Sequence, residues 1–224
     1  MTSGPGTVCD VQPGLGPEAP GPSTRAGRLG NAGSGTVIVT VPGLRAHVPD
    51  HWQTRLAAAL PNVRPVTPLG LANLSLDERV AELHRTIEAA GGPVVIVAHS
   101  AGVITTVHWA ARHADAAHRV RGALLATPPD LADELPAGYP SLSTLAELGW
   151  LPVPRRPLPF PSIVAASADD ALGDPALVRA LAGAWGSRYR EIGAVGHLNP
   201  ASGYGDWPGA EPLIKELDHP EAPR

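Results

Sequence analysis

Ser100, Asp170 and His197 supply a hydroxyl, a carboxylate and an imidazole, widely spaced but in a telling order. A serine hydroxyl is a poor nucleophile at neutral pH. It needs a base to take its proton, and that base needs an acid to fix its tautomer and stabilise the imidazolium. Ser100 has the most informative surroundings. In Pro93-Val94-Val95-Ile96-Val97-Ala98-His99-Ser100-Ala101-Gly102-Val103 a β-branched apolar run meets a serine between small residues and then a helical pattern. That is the layout of a nucleophile elbow, where Ala98 and Gly102 let the helix pack back against the strand. Taken alone, the motif is also compatible with an ordinary buried turn serine. Asp170 and His197, each following a later strand-like run, complete the order serine, acid, histidine and make the nucleophile reading far more specific.

Other residues compete for these roles. Asp130 follows the preceding strand and is a second candidate for the acid; Asp169 is expected to face solvent, and Asp174 lies further along the loop. Of the nine histidines, His84, His108, His113, His118 and His219 fall on helices or surface loops, where a solvated side chain is expected. His99 adjoins the nucleophile and is expected to pack or hydrogen-bond beneath the site. His47, Asp50 and His51 have loose metal-like spacing, but nothing completes a ligand set, so no metal is expected. An acyl-transfer site also needs oxyanion donors. The amide of Ala101 is one, and the amide of Leu44, beyond Pro42-Gly43, is the simplest second, unless Leu44 is a plain loop residue. With aromatics at 4% of the chain, Trp52, Trp150, Phe160 and Tyr204 are the candidate pocket walls, each otherwise a core residue.

The elements that must position these groups alternate. A strand over residues 35–41 breaks at Pro42-Gly43; a helix capped by Asp50 carries Trp52, Leu56 and Leu60; a short strand follows around Val63 to Val66. Ser75-Leu76-Asp77-Glu78 has the form of a capping box, with Val80, Leu83 and Ile87 on one helical face. After the elbow come a helix through Val103, Val107 and Ala111 and a strand at Gly122 to Ala126. A strand at Ser162 to Ser167, a helix at Pro175 to Trp185, a strand at Tyr189 to Ile192 and a helix at Pro208 to Leu217 complete the series. This predicts a three-layer α/β fold with a mostly parallel sheet and helices on both faces. Residues 130–161 are rich in proline and large apolar side chains. They read either as a cap or pocket wall or as a loop packed on the core. Residues 1–33 hold eight glycines and five prolines without periodicity and are expected to form a disordered or loosely docked tail before a single domain at 34–219.

Across 224 residues, 43% are hydrophobic, enough for a sizeable core in one domain. A net charge of -4 gives no basic field for nucleic acid or an anionic membrane. The lone Cys9 excludes an internal disulfide framework, and no apolar stretch approaches the roughly 18 residues of a spanning helix. A cytoplasmic protein acting on a small molecule is expected.

The chain resembles the small α/β-hydrolases of the YdeN-like serine hydrolase family. The resemblance rests on Pro42-Gly43 with His51-Trp52-Gln53 downstream, the His99-Ser100-x-Gly102 elbow, Ser167 to Asp170, and Gly196-His197-Leu198-Asn199-x-x-Ser202-Gly203-Tyr204-Gly205-x-Trp207, and it spans about Thr36 to Leu217. It implies an α/β-hydrolase fold, a triad of Ser100, Asp170 and His197, no cofactor, and esterase-like activity. This chain departs at Ala98 for glycine, at Leu44 where an aromatic is common, and at Ala171 where proline often follows the aspartate. Hydrolysis of small carboxylic esters, with amides as a further class, is the leading expectation. The alternatives are a lactonase or thioesterase, and a non-catalytic interaction module on the same fold.

Overall fold

The computed structural model describes Met1 and residues 35–45 and 47–219, so the tail expected over 1–33 lies, Met1 aside, outside the described residues. Strands β1 (Val37–Val41), β2 (Val63–Pro65), β3 (Val94–His99), β4 (Val120–Ala126), β5 (Ser162–Ala166) and β6 (Arg188–Glu191) form one sheet in the order β2-β1-β3-β4-β5-β6. Every pairing is parallel. The helices are α1 (Trp52–Ala59), α2 (Leu76–Glu88), α3 (Ala101–Arg112), α4 (Leu142–Glu147), α5 (Pro175–Trp185) and α6 (Ala210–Asp218).

Alternation along the strands sorts the core into two layers. Val39, Val41, Ile96, Ala98, Leu125 and Val164 pack with α2, α3 and α5, whereas Ile38, Val95, Val97, Leu124 and Ile163 pack with α1 and α6. All six residues of β3 are buried, as suits a strand covered on both faces. Burying each of its valines and its isoleucine contributes about 1.5–3 kcal/mol. Chain winding reverses between β1 and β3, and in open parallel sheets the crevice for a ligand opens at the carboxyl ends of strands at such a point. The loop after β1 and Ser100 after β3 meet there.

Several boundaries differ from the sequence reading. His51, not Asp50, caps α1: its Nδ1 accepts from the Gln53 amide at 3.2 Å, while Asp50 is exposed and pairs with Arg55. The 130–161 stretch contains α4, a single short helix capped by Ser141, too brief for its periodicity to show among prolines. β6 begins at Arg188, because this edge strand is polar and largely exposed and gives little hydrophobic signal. α6 begins at Ala210, two residues beyond Pro208. Among the described residues, no helix is long and apolar enough to cross a membrane.

Candidate active site

Ser100 sits between β3 and α3 with φ 56° and ψ -128°, a conformation unfavourable for any residue with a Cβ. Gly102 explains how so sharp a turn closes. A Cβ at this position would lie 2.3 Å from the carbonyl oxygen of Val41 and 2.8 Å from that of Pro42, so only glycine lets α3 press against the end of β1. The same approach brings Gly43 over the serine, where an added Cβ would stand 3.2 Å from the Ser100 Cβ.

His197 Nε2 lies 2.8 Å from Ser100 Oγ, and His197 Nδ1 lies 2.8 and 3.0 Å from the two carboxylate oxygens of Asp170. All three side chains are buried. Their loops are fastened by further bonds. The Leu172 amide donates to Asp170 Oδ1 at 2.9 Å; the His197 amide donates to Ser202 Oγ at 3.0 Å; His99 Nε2 donates to the His197 carbonyl oxygen at 2.9 Å. Asp169 is exposed, yet it does not simply face solvent. It accepts from the Gly196 amide at 2.6 Å and the Ser167 hydroxyl at 2.9 Å, which hold its carboxyl below the usual range and tie the two loops together. Asp130, the second candidate acid, commits its oxygens to the amides of Ala132 and Asp174 instead of to His197.

Beneath Ser100, Asp170 and His197 lie Gln53, His51 and His99, all three buried. Gln53 is buried and its Nε2 bonds the carbonyls of Val41 (3.1 Å) and Val97 (2.9 Å), stitching the ends of β1 and β3 together. In the sequence Gln53 stands only as the last residue of the His51-Trp52-Gln53 motif, with no role attached to it. Burial, with His197 and His47 adding to it, pushes His51 down to about 4. Burial also drives His99 well below its ordinary value, with His197 and His51 acting in the same direction. His108 was expected to be solvated; it is buried, and its Nε2 bonds the Trp150 carbonyl at 3.1 Å. Among the described residues, no group of three or more His, Cys, Asp or Glu side chains could hold a metal ion.

A narrow apolar cavity opens beside the serine, lined by Leu44, Ser100 and Ala101, then Ile104 of α3, Pro129, Leu172, and Leu131, Leu135, Tyr139, Leu145 and Trp150 of the 130–161 stretch. Of the four large residues expected as walls, Trp150 is there and three are not. Trp52 packs with the other layer, edge-on to Trp207 at 4.9 Å between ring centres. Phe160 is buried beside Trp109 in the first layer, and Tyr204 rests on the second with its hydroxyl 3.4 Å from the Ala194 carbonyl. Trp52 and Phe160 fill core space, because an aromatic side chain buries most area where two elements meet, and Tyr204 is half-buried against its edge.

A model of the serine hydrolase family matches residues 38–216. A YdeN-like hydrolase from Pectobacterium atrosepticum superposes with a TM-score of 0.68 at 23% identity, over 82% of this chain and 91% of that one. The ydeN gene product from B. subtilis gives 0.56 at 20%, over 81% and 97%. A type II thioesterase from the borrelidin biosynthetic cluster gives 0.58 at 15%, over 86% and 96%. The search of curated proteins returned no match. The architecture is therefore that of an α/β-hydrolase, and with the family match covering most of its length, this chain belongs to the serine hydrolase family.

Proposed function

We propose that this hydrolase cleaves small carboxylic esters through an acyl-enzyme on Ser100. The reading is carried by the 2.8 Å separation of His197 Nε2 from Ser100 Oγ, with Asp170 against the other ring nitrogen. In the first step Ser100 Oγ attacks the ester carbonyl carbon while His197 Nε2 takes its proton. The tetrahedral oxyanion is held by the amides of Leu44 and Ala101, the second of which opens α3 and has no partner within the helix. Collapse breaks the C–O bond, and His197 returns the proton to the departing alcohol. Water then attacks the acyl-enzyme, giving its proton to His197, which passes it back to Ser100 as the acid leaves. Asp170 keeps the proton of the neutral ring on Nδ1 and stabilises the imidazolium formed at each step.

Fluorophosphonate labelling and p-nitrophenyl ester hydrolysis, both lost in Ser100→Ala, are the expected results. A folded protein inert to both would favour an interaction module. Lactones and thioesters pass through the same steps and are separated from open-chain esters by a substrate panel.

A further inference from the structure

We infer that the cavity beside Ser100 is an acyl subsite, built by the β4–β5 connection, that takes the uncharged apolar acyl chain of the substrate while the alcohol departs on the opposite side. This rests on Ser100 acting as the nucleophile.

The side of the serine on which the cavity lies separates acyl from alcohol. The departing oxygen must reach His197 Nε2 to receive its proton, so the alcohol lies on the histidine side. The residues lining the cavity include Ser100, Leu44 and Ala101 but neither His197 nor Asp170. A carbonyl whose oxygen points at the two proposed oxyanion amides, with its leaving group toward His197, directs its remaining substituent into this space.

The chemistry of the wall defines the chain it accepts. Apart from Ser100, Tyr139 is the one lining residue with a polar side-chain group besides the Trp150 indole. The indole N–H is turned to the Leu74 carbonyl at 2.8 Å, and the Trp150 carbonyl is held by His108, while Arg79 lies 5.9 Å from the centre of the Trp150 ring. The polar atoms of this residue are thus bonded to neighbouring elements, and the cavity receives carbon surface. No charged residue lines it, so a carboxylate or ammonium on the acyl part would be desolvated without a partner. The buried side chains Leu131, Leu145 and Trp150 keep the wall in place without ligand.

The test is a pair of ester series. With p-nitrophenyl acetate, butyrate and hexanoate, kcat/KM is expected to rise by up to about fourfold per added methylene, and at least tenfold overall. With methyl, butyl and hexyl acetate it should change little. Leu135 is half-buried at the cavity on an irregular stretch, so its substitution carries little risk to folding. In Leu135→Trp the hexanoate-to-acetate ratio should fall at least tenfold, and in Leu135→Ala the optimum should move to longer acyl chains, with the alcohol-series ratio shifting less than twofold in both. A flat acyl series, or an alcohol series that responds to Leu135 instead, overturns the subsite and leaves the serine hydrolase reading standing. If no ester turns over and no probe labels Ser100, the hydrolytic reading fails. Titration with sodium hexanoate then decides the cavity: amide shifts at Leu131, Leu135 and Leu172 retain it as an apolar-chain site, and their absence overturns it.

Discussion

His99 donates from Nε2 to the main-chain carbonyl oxygen of His197 across 2.9 Å, so the residue preceding Ser100 holds the backbone of the residue that faces Ser100. A carbonyl oxygen only accepts, which fixes the proton of His99 on Nε2. Its ring lies 5.0 Å from that of His197 and 4.6 Å from that of His51. Two of these three imidazoles are kept neutral by burial, which prevents a cluster of cations at the site.

A pH dependence of stability follows. The folded-state value of His51 is depressed from 6.5 to about 4, so between these limits the unfolded chain binds a proton that the folded chain does not. Its contribution is present in full above about pH 6.5 and is lost as pH falls towards 4, with a slope near 1.4 kcal/mol per pH unit. His99 acts in the same direction. Urea unfolding at pH 7, 6 and 5 should show this decline. His51→Asn, which keeps a capping side chain but does not titrate, should flatten it.

Exchange of the carboxylates tests the choice of acid. Asp170→Asn preserves shape but favours the wrong tautomer of His197, and kcat should fall by about 10⁴-fold, the loss seen for the equivalent change in serine proteases. Asp130→Asn should leave kcat within a few-fold, because Asp130 serves the amides of Ala132 and Asp174. Steady-state hydrolysis of one ester by both variants suffices, and equal losses would reject Asp170 as the acid.

The strained backbone of the elbow predicts an inversion of the usual rule that glycine is less stabilising than alanine. At φ 56° the Cβ of Ser100 is unfavourable, and relief of such strain contributes about 1–3 kcal/mol. Ser100→Gly should therefore unfold at higher denaturant than Ser100→Ala, although both lack the Ser100 hydroxyl. Equal midpoints would show that the turn carries no strain.

The sequence alone determined the alternation of strands and helices, the elbow, and three chemical groups placed after strands. These are written locally: unbroken β-branched runs mark β1 and β3, Ser75 and Glu78 mark the start of α2, and Pro175 marks the start of α5. Short α4 was not legible, because its form is set by its neighbours rather than by periodicity, whereas β6 was placed to within one residue. Only the tertiary structure decided that Asp170 rather than Asp130 faces His197, that His108 is buried, and that Trp150 lines the cavity while Trp52, Phe160 and Tyr204 do not. Those outcomes depend on which distant backbone amide or side chain meets each group across the sheet edge, and spacing along a chain does not encode such encounters.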